Sequence, residues 1–272
     1  YLPMIWNLIA FEKFSIRKGI FGSPWVGLKN FEKFFSSPYC GRIIRNTFVL
    51  SFTDLILGWP VPILFALFLN EVRNMRVKRV IQTCTYLPHF ISIVVVVGMM
   101  KIFFSSSNGV VNKLIEHMGG TAIPFFSKSE CFVWLYVFSG VWQNFGWDSI
   151  IYFSAISSID PQIYEAAVVD GATRFQRLLH GTLPSILPTI TVMLILRVGS
   201  VMDAGFDQVF NLYNSAVYKT GDIIDTFVYR YGLGDMQYSF STAVGLFKNV
   251  IGFVLVVGTN AITNKLNGTG IW

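Results

Sequence analysis

The amino-acid sequence predicts an all-α, polytopic membrane protein, and three observations carry that prediction. The chain of 272 residues is 53% hydrophobic and only 13% charged, with a mean hydropathy of +0.55, too apolar for an ordinary soluble domain. Five runs each hold the roughly 20 mostly apolar residues that a helix needs to cross a hydrocarbon layer of about 30 Å. Short polar connections join them. One such run would also suit a buried core helix, but five in series do not.

In chain order, the first ten residues, YLPMIWNLIA, are apolar but lack the basic start and cleavage site of a signal peptide. They read as the tail of a helix whose beginning precedes residue 1. The runs follow at 46–69, 83–104, 131–156, 185–203 and 239–263. Gly58, Pro60 and Pro62 interrupt the first of these and Pro88 the second. Such breaks suit either a packing kink or a place where neighbouring helices or a hydrated cavity take up the freed carbonyls.

The run 131–156 carries a polar stripe, in which Gly140, Gln143, Asn144, Trp147, Asp148 and Ser154 share one helical face of roughly 140°. The run 185–203 adds Arg197 and Asp203, and the last run has a second stripe of Ser241, Gly245, Lys248, Asn249 and Gly252. The glycines and serines fit interhelical packing. Arg197 and Lys248 are expensive facing lipid, so they either pair with Asp148 or Asp203 or face an anionic cargo. Gln143, Asn144, Trp147, Asp148, Tyr152, Arg197, Lys248 and Asn249 are therefore the candidate lining of a hydrated pathway. The rings of Trp142, Trp147 and Tyr152 suit stacking on sugar faces as well as anchoring at the membrane interface.

The formal charge of +6 comes from dispersed Lys and Arg residues, which excludes a nucleic-acid-binding face and fits anionic lipid headgroups. Cys40, Cys84 and Cys131 have no CxxC spacing, and His89, His117 and His180 stand far apart. Neither a disulfide framework nor a metal site is expected. The distribution of positive charge gives a divided orientation. Residues 70–79 hold Arg73, Arg76, Lys78 and Arg79, yet 11–43, on the opposite side, hold Lys13, Arg17, Lys18, Lys29, Lys33 and Arg42.

Between the third and fourth runs, residues 157–184 are too polar to cross and too patterned for a linker. Asp160 is placed as an N-cap with Pro161 at the first helical position, where its missing N–H costs nothing. Gly171 ends that helix. Thr173 and Gln176 have capping-box spacing, so a second helix starts there; it is expected to stop near Gly181, with Leu183-Pro184 opening the next span. A rigid knob of this kind suits a cytoplasmic partner, and small Ala166, Ala167 and Gly171 favour protein contact over lipid anchoring.

The pattern Glu165-Ala166-Ala167, Gly171 and Leu183-Pro184 resembles the EAA loop of binding-protein-dependent ABC importer permeases, departing from it only in Gly181, where the family has Ile or a similar residue. FGSPWVGLKNFEKFF, RNTFVLS and ALFLNEVRNMRVKRVIQTCTYLPHFIS extend the likeness over nearly the whole chain, toward sugar permeases for complex or acidic oligosaccharides. The resemblance implies one permease domain over 1–272, a six-helix type I transmembrane domain with its first helix truncated, in the bacterial cytoplasmic membrane. It implies coupling to an ATPase through Glu165, Ala166, Ala167, Asp170, Gly171 and Arg174. It also implies a second permease, an ABC ATPase dimer that binds ATP and Mg, an extracytoplasmic solute-binding protein, and an oligosaccharide cargo derived from alginate or pectin. The chain holds no G-x-x-x-x-G-K-[ST] phosphate loop, so it is not itself the ATPase and is expected to need no cofactor of its own. An ion-coupled carrier is the main alternative, but no convincing internal repeat supports it. An intramembrane enzyme lacks any recognisable nucleophile or metal arrangement.

Overall fold

The computed structural model describes residues 2–268 and 270, and its regular structure is helical apart from an isolated bridge between Glu12 and Trp25. The helices that position the candidate sites are α1 (Cys40–Leu57), α2 (Pro60–Glu71), α3 (Met75–Tyr86), α4 (Ile93–Phe103), α5 (Ser129–Ser157), α6 (Pro161–Val169), α7 (Leu183–Gly199) and α8 (Tyr238–Asn267). Among the described residues, three stretches are long and apolar enough to cross a membrane, namely Cys40–Glu71, Arg174–Gly199 and Tyr238–Lys265, with 33%, 28% and 28% of their apolar windows buried. Most of each window is thus left for lipid or for other chains, as a spanning helix requires. α5 has 29 residues, about 43 Å at 1.5 Å per residue, and is long enough to span. Its polar stripe keeps it out of the apolar class.

Two expected elements differ from what is observed. The run 83–104 is not one straight span, because Met75–Phe90 and Ile93–Phe103 meet at 99°. Pro88 has no N–H to give and its ring crowds the preceding turn, so the chain tightens into a 3-10 turn over Leu87–Phe90 and goes extended at Ile91, φ −78° and ψ 129°. The second helix of the 157–184 segment does not stop at Gly181. Arg174–Arg177 runs through a π turn at Leu178–Thr182 directly into α7. Gly171 has φ +77° while Gly181 has no positive φ, so only the first adopts the left-handed geometry that ends a helix.

In the segment Cys40–Glu71 the helix resets at Gly58–Trp59 and restarts at Pro60, where proline needs no donor. The chain divides into two compact units, one of residues up to Phe52, Ile93–Tyr136 and Ser200–Leu255, the other of Thr53–Ser92, Val137–Gly199 and the residues from Val256 on. The first unit packs Phe34, Ile43, Met202, Ile224, Phe227 and Phe240 into one core. Beside it, the fully buried Asp222 accepts from Arg42 at 3.1 Å and from Arg230 at 2.8 Å, the paired state that a buried carboxylate requires. The second unit packs Ile63, Leu67, Tyr152, Ile156, Ile186 and Ile190. Within it α3 approaches α5 closely, since a Cβ on Gly146 would overlap the Thr85 carbonyl. Glycine at such a crossing lets two backbones meet.

Candidate functional site

Three arrangements of side chains stand out, and local sequence builds the first of them. Asp160 accepts from the Gln162 amide at 2.9 Å and Pro161 starts α6. Thr173 and Gln176 close the expected capping box, with the Thr173 amide donating to Gln176 Oε1 at 2.8 Å. The result is a short helix, a left-handed turn at Gly171 and a second helix continuous with α7. Glu165, Ala166, Asp170, Gly171 and Arg174 are exposed and Ala167 is half-buried. Around them Ile163, Val168, Val169 and Phe175 show large apolar surface, Val169 being 87% exposed. An apolar patch rimmed by charge on a rigid element marks a protein-binding surface. Between the two helices lies a hollow of about 400 Å³ lined by Tyr164, Ala167, Gln176, Arg177 and His180. The Tyr164 and Thr182 hydroxyls meet at 3.0 Å, tying α6 to the root of α7.

The second arrangement gathers on α5, α7 and the break in 83–104. Gln143 is buried and donates to the Ile91 carbonyl at 2.7 Å, one of the groups freed by the break. The Asn144 amide nitrogen donates to Gly140 at 3.0 Å, which turns its oxygen toward His89 Nδ1 at 2.9 Å and makes that ring nitrogen the donor. The His89 ring lies face to face on Trp147, with centroids 4.7 Å apart. One turn further, Arg197 donates to Asp54 at 2.6 Å and faces Asp148 at 3.6 Å. Tyr152 is 2% exposed and belongs to the core of its unit.

In the third arrangement, Lys248 is the ion-pair partner of both Asp203 and Asp225, at 2.7 Å from the latter. Burial raises the Asp225 carboxyl above its ordinary range, while Lys248 beside it pulls the other way. The exposed Asn249 shares with Lys248 a cleft of about 750 Å³.

Arg197 and Lys248 therefore each take one of the two carboxylates expected for them, Arg197 pairing with Asp148 and Lys248 with Asp203, and each takes a second that sequence reasoning missed. Asp54 carried a usable signal as a carboxylate inside an apolar run. His89 and Asp225 carried none beyond, for His89, its place next to Pro88.

Residues 46–266 match the family model described as binding-protein-dependent transport system inner membrane component. Protein LplB of Bacillus subtilis (strain 168) is 44% identical over 272 residues, covering 100% of this chain and 86% of that protein. The polygalacturonan/rhamnogalacturonan transport system permease protein YteP of the same organism is 43% identical, covering 100% and 85%. Among solved structures, a bacterial ABC transporter involved in the import of the acidic polysaccharide alginate aligns with a TM-score of 0.91 at 41% identity, over 98% of this chain and 90% of that one. A bacterial alginate ABC transporter in complex with an alginate pentasaccharide-bound periplasmic protein aligns at 0.92 and 40% identity, over 100% and 90%.

Proposed function

The chain belongs to the family of inner membrane components of binding-protein-dependent transport systems, and from that premise we propose that it carries an acidic oligosaccharide, delivered by an external binding protein, in an importer driven by a separate ATPase. The observation that carries the mechanical part is the exposed, capped α6 with its apolar rim at Ile163, Val168, Val169 and Phe175. Such a knob fits a cleft on the ATPase. Glu165 would pair with a basic group there, Ala166 and Ala167 allow close approach, Gly171 sets the turn, and Asp170 and Arg174 flank it. ATP and Mg would be held by that partner, and a second, related permease would complete the pathway.

Motion at α6 has a direct route into the membrane, because the helix after Gly171 is continuous with α7 and α7 bears Arg197. ATP binding shifts such a device only if the two states bind ATP with different affinity. Gln143, Asn144, Trp147, Asp148 and Arg197 are the proposed path on one unit, Lys248 and Asn249 on the other, while Tyr152 packs behind that path in the core.

The acidic character of the cargo is supported by the alginate and polygalacturonan/rhamnogalacturonan relatives. Arg197 and Lys248 do not argue for it, since each already faces two carboxylates. The test is ATPase stimulation of the reconstituted complex, with its binding protein, by a panel of acidic and neutral oligosaccharides. Stimulation by acidic members supports the reading. Stimulation by neutral members alone overturns it.

A further inference from the structure

The cleft beside Lys248 has about 750 Å³, within the range of roughly 300–1,000 Å³ typical of small-ligand sites. One wall is a single face of α8, with Ser241, Gly245, Lys248 and Asn249 at helical spacing. Across from it stand Phe206 and Tyr229, their ring centroids 5.4 Å apart and Tyr229 41% exposed. A Cβ on Gly245 would meet nothing within 4 Å, so the glycine leaves the wall hollow.

Two features say what the hollow takes. Ser241 is 6% exposed, lines the cleft, and its hydroxyl has no hydrogen-bond partner. A buried hydroxyl left unmade is costly, and a ligand hydroxyl brought to it would complete it. The second feature is charge. Lys248 stands against both Asp203 and Asp225, and one cation facing two carboxylates leaves the cleft negative. An added carboxylate is repelled there, whereas ionised aspartates accept hydrogen bonds from hydroxyls.

We propose that this cleft is a subsite for an uncharged sugar ring of the cargo, seated against Tyr229 and hydrogen-bonded by Ser241, Asn249 and Asp225. The proposal rests on the oligosaccharide reading above and narrows it. A cargo that alternates uronic acid with neutral sugar satisfies both; a chain of uronic acid alone leaves this cleft empty.

The test uses the assembled importer in nanodiscs, with its ATPase and binding protein. Leu233, 64% exposed on the rim, becomes a reporter as Leu233→Cys in a Cys84→Ser background, and the rate of maleimide labelling is read alongside ATPase activity. The probes are a rhamnogalacturonan tetrasaccharide, which alternates galacturonate and rhamnose, and tetragalacturonate. The rhamnogalacturonan probe should slow labelling about fivefold or more, as expected when a bound ligand excludes the reagent from a pocket of this size, and tetragalacturonate should leave the rate unchanged. Gly245→Leu, which fills the hollow with a good helix former, and Ser241→Ala should each remove the protection. ATPase stimulation without protection, or equal protection by both probes, overturns the subsite while leaving the cargo reading in place. Stimulation by neither probe removes the cargo reading and the subsite with it.

Discussion

Gly171 has φ +77° and open space where a Cβ would go, so a side chain there acts through the backbone alone, at about 1–2 kcal/mol. Gly171→Val should abolish uptake in membrane vesicles while the binding protein still captures cargo. Gly181→Ala is the matched control. Its backbone is right-handed and its Cβ would come no nearer than 3.9 Å to Ile163, so at least half of the uptake should remain. Equal loss in both variants would contradict the role given to the turn. Arg197 sits between Asp54 and Asp148, and Arg197→Gln leaves two carboxylates without their cation. A double-mutant cycle with Asp54→Asn, read by thermal unfolding, should give a coupling of about 1 kcal/mol or more; additivity would show that the pair contributes nothing. The local residues, Asp160, Thr173, Gln176 and Gly171, were legible because a cap is decided within three or four positions. The pairing of Arg197 with Asp54 was not, since it closes across 143 residues and no local spacing encodes it.

At the scale of elements, the existence of the spans was legible from apolar run length, and their shape was not. Pro88 announced a disturbance between 83 and 104, yet only the packing shows a 99° turn whose freed carbonyl at Ile91 is taken by Gln143. Pro88→Ala restores a donor to the ladder and should raise thermal stability while lowering transport; higher transport would show the break to be incidental. The crossing of α3 and α5 sets a second prediction. Gly146→Leu places atoms where the Thr85 backbone lies, and overpacking of this kind costs about 1–3 kcal/mol. Its melting temperature in detergent should fall by several degrees, whereas Gly98→Leu, where a Cβ meets nothing within 4 Å, should leave it near the parent value. The continuity of the helix from Arg174 to Gly199 was hidden for a different reason. Gly181 reads as a stop and Leu183-Pro184 as a new start, and a π turn at Leu178–Thr182 carries the helix through both.

For the whole molecule, composition alone placed the chain in a membrane, and charge counting then failed to orient it because both sides are basic. Under the proposed coupling, the 157–184 segment orients the chain, since the ATPase it is proposed to meet lies on the side where ATP is found. Two units, each with its own core and its own cation held by two carboxylates, are what a transporter needs if parts of one chain are to shift while charges inside the membrane stay neutralised. The most direct measurement is cargo uptake by proteoliposomes holding the assembled importer, with the binding protein outside, ATP supplied or withheld inside, and ion gradients collapsed by ionophores. ATP-dependent uptake that survives the ionophores is the predicted result, and Gly171→Val should remove it. Uptake that follows an ion gradient and proceeds without ATP would contradict the account.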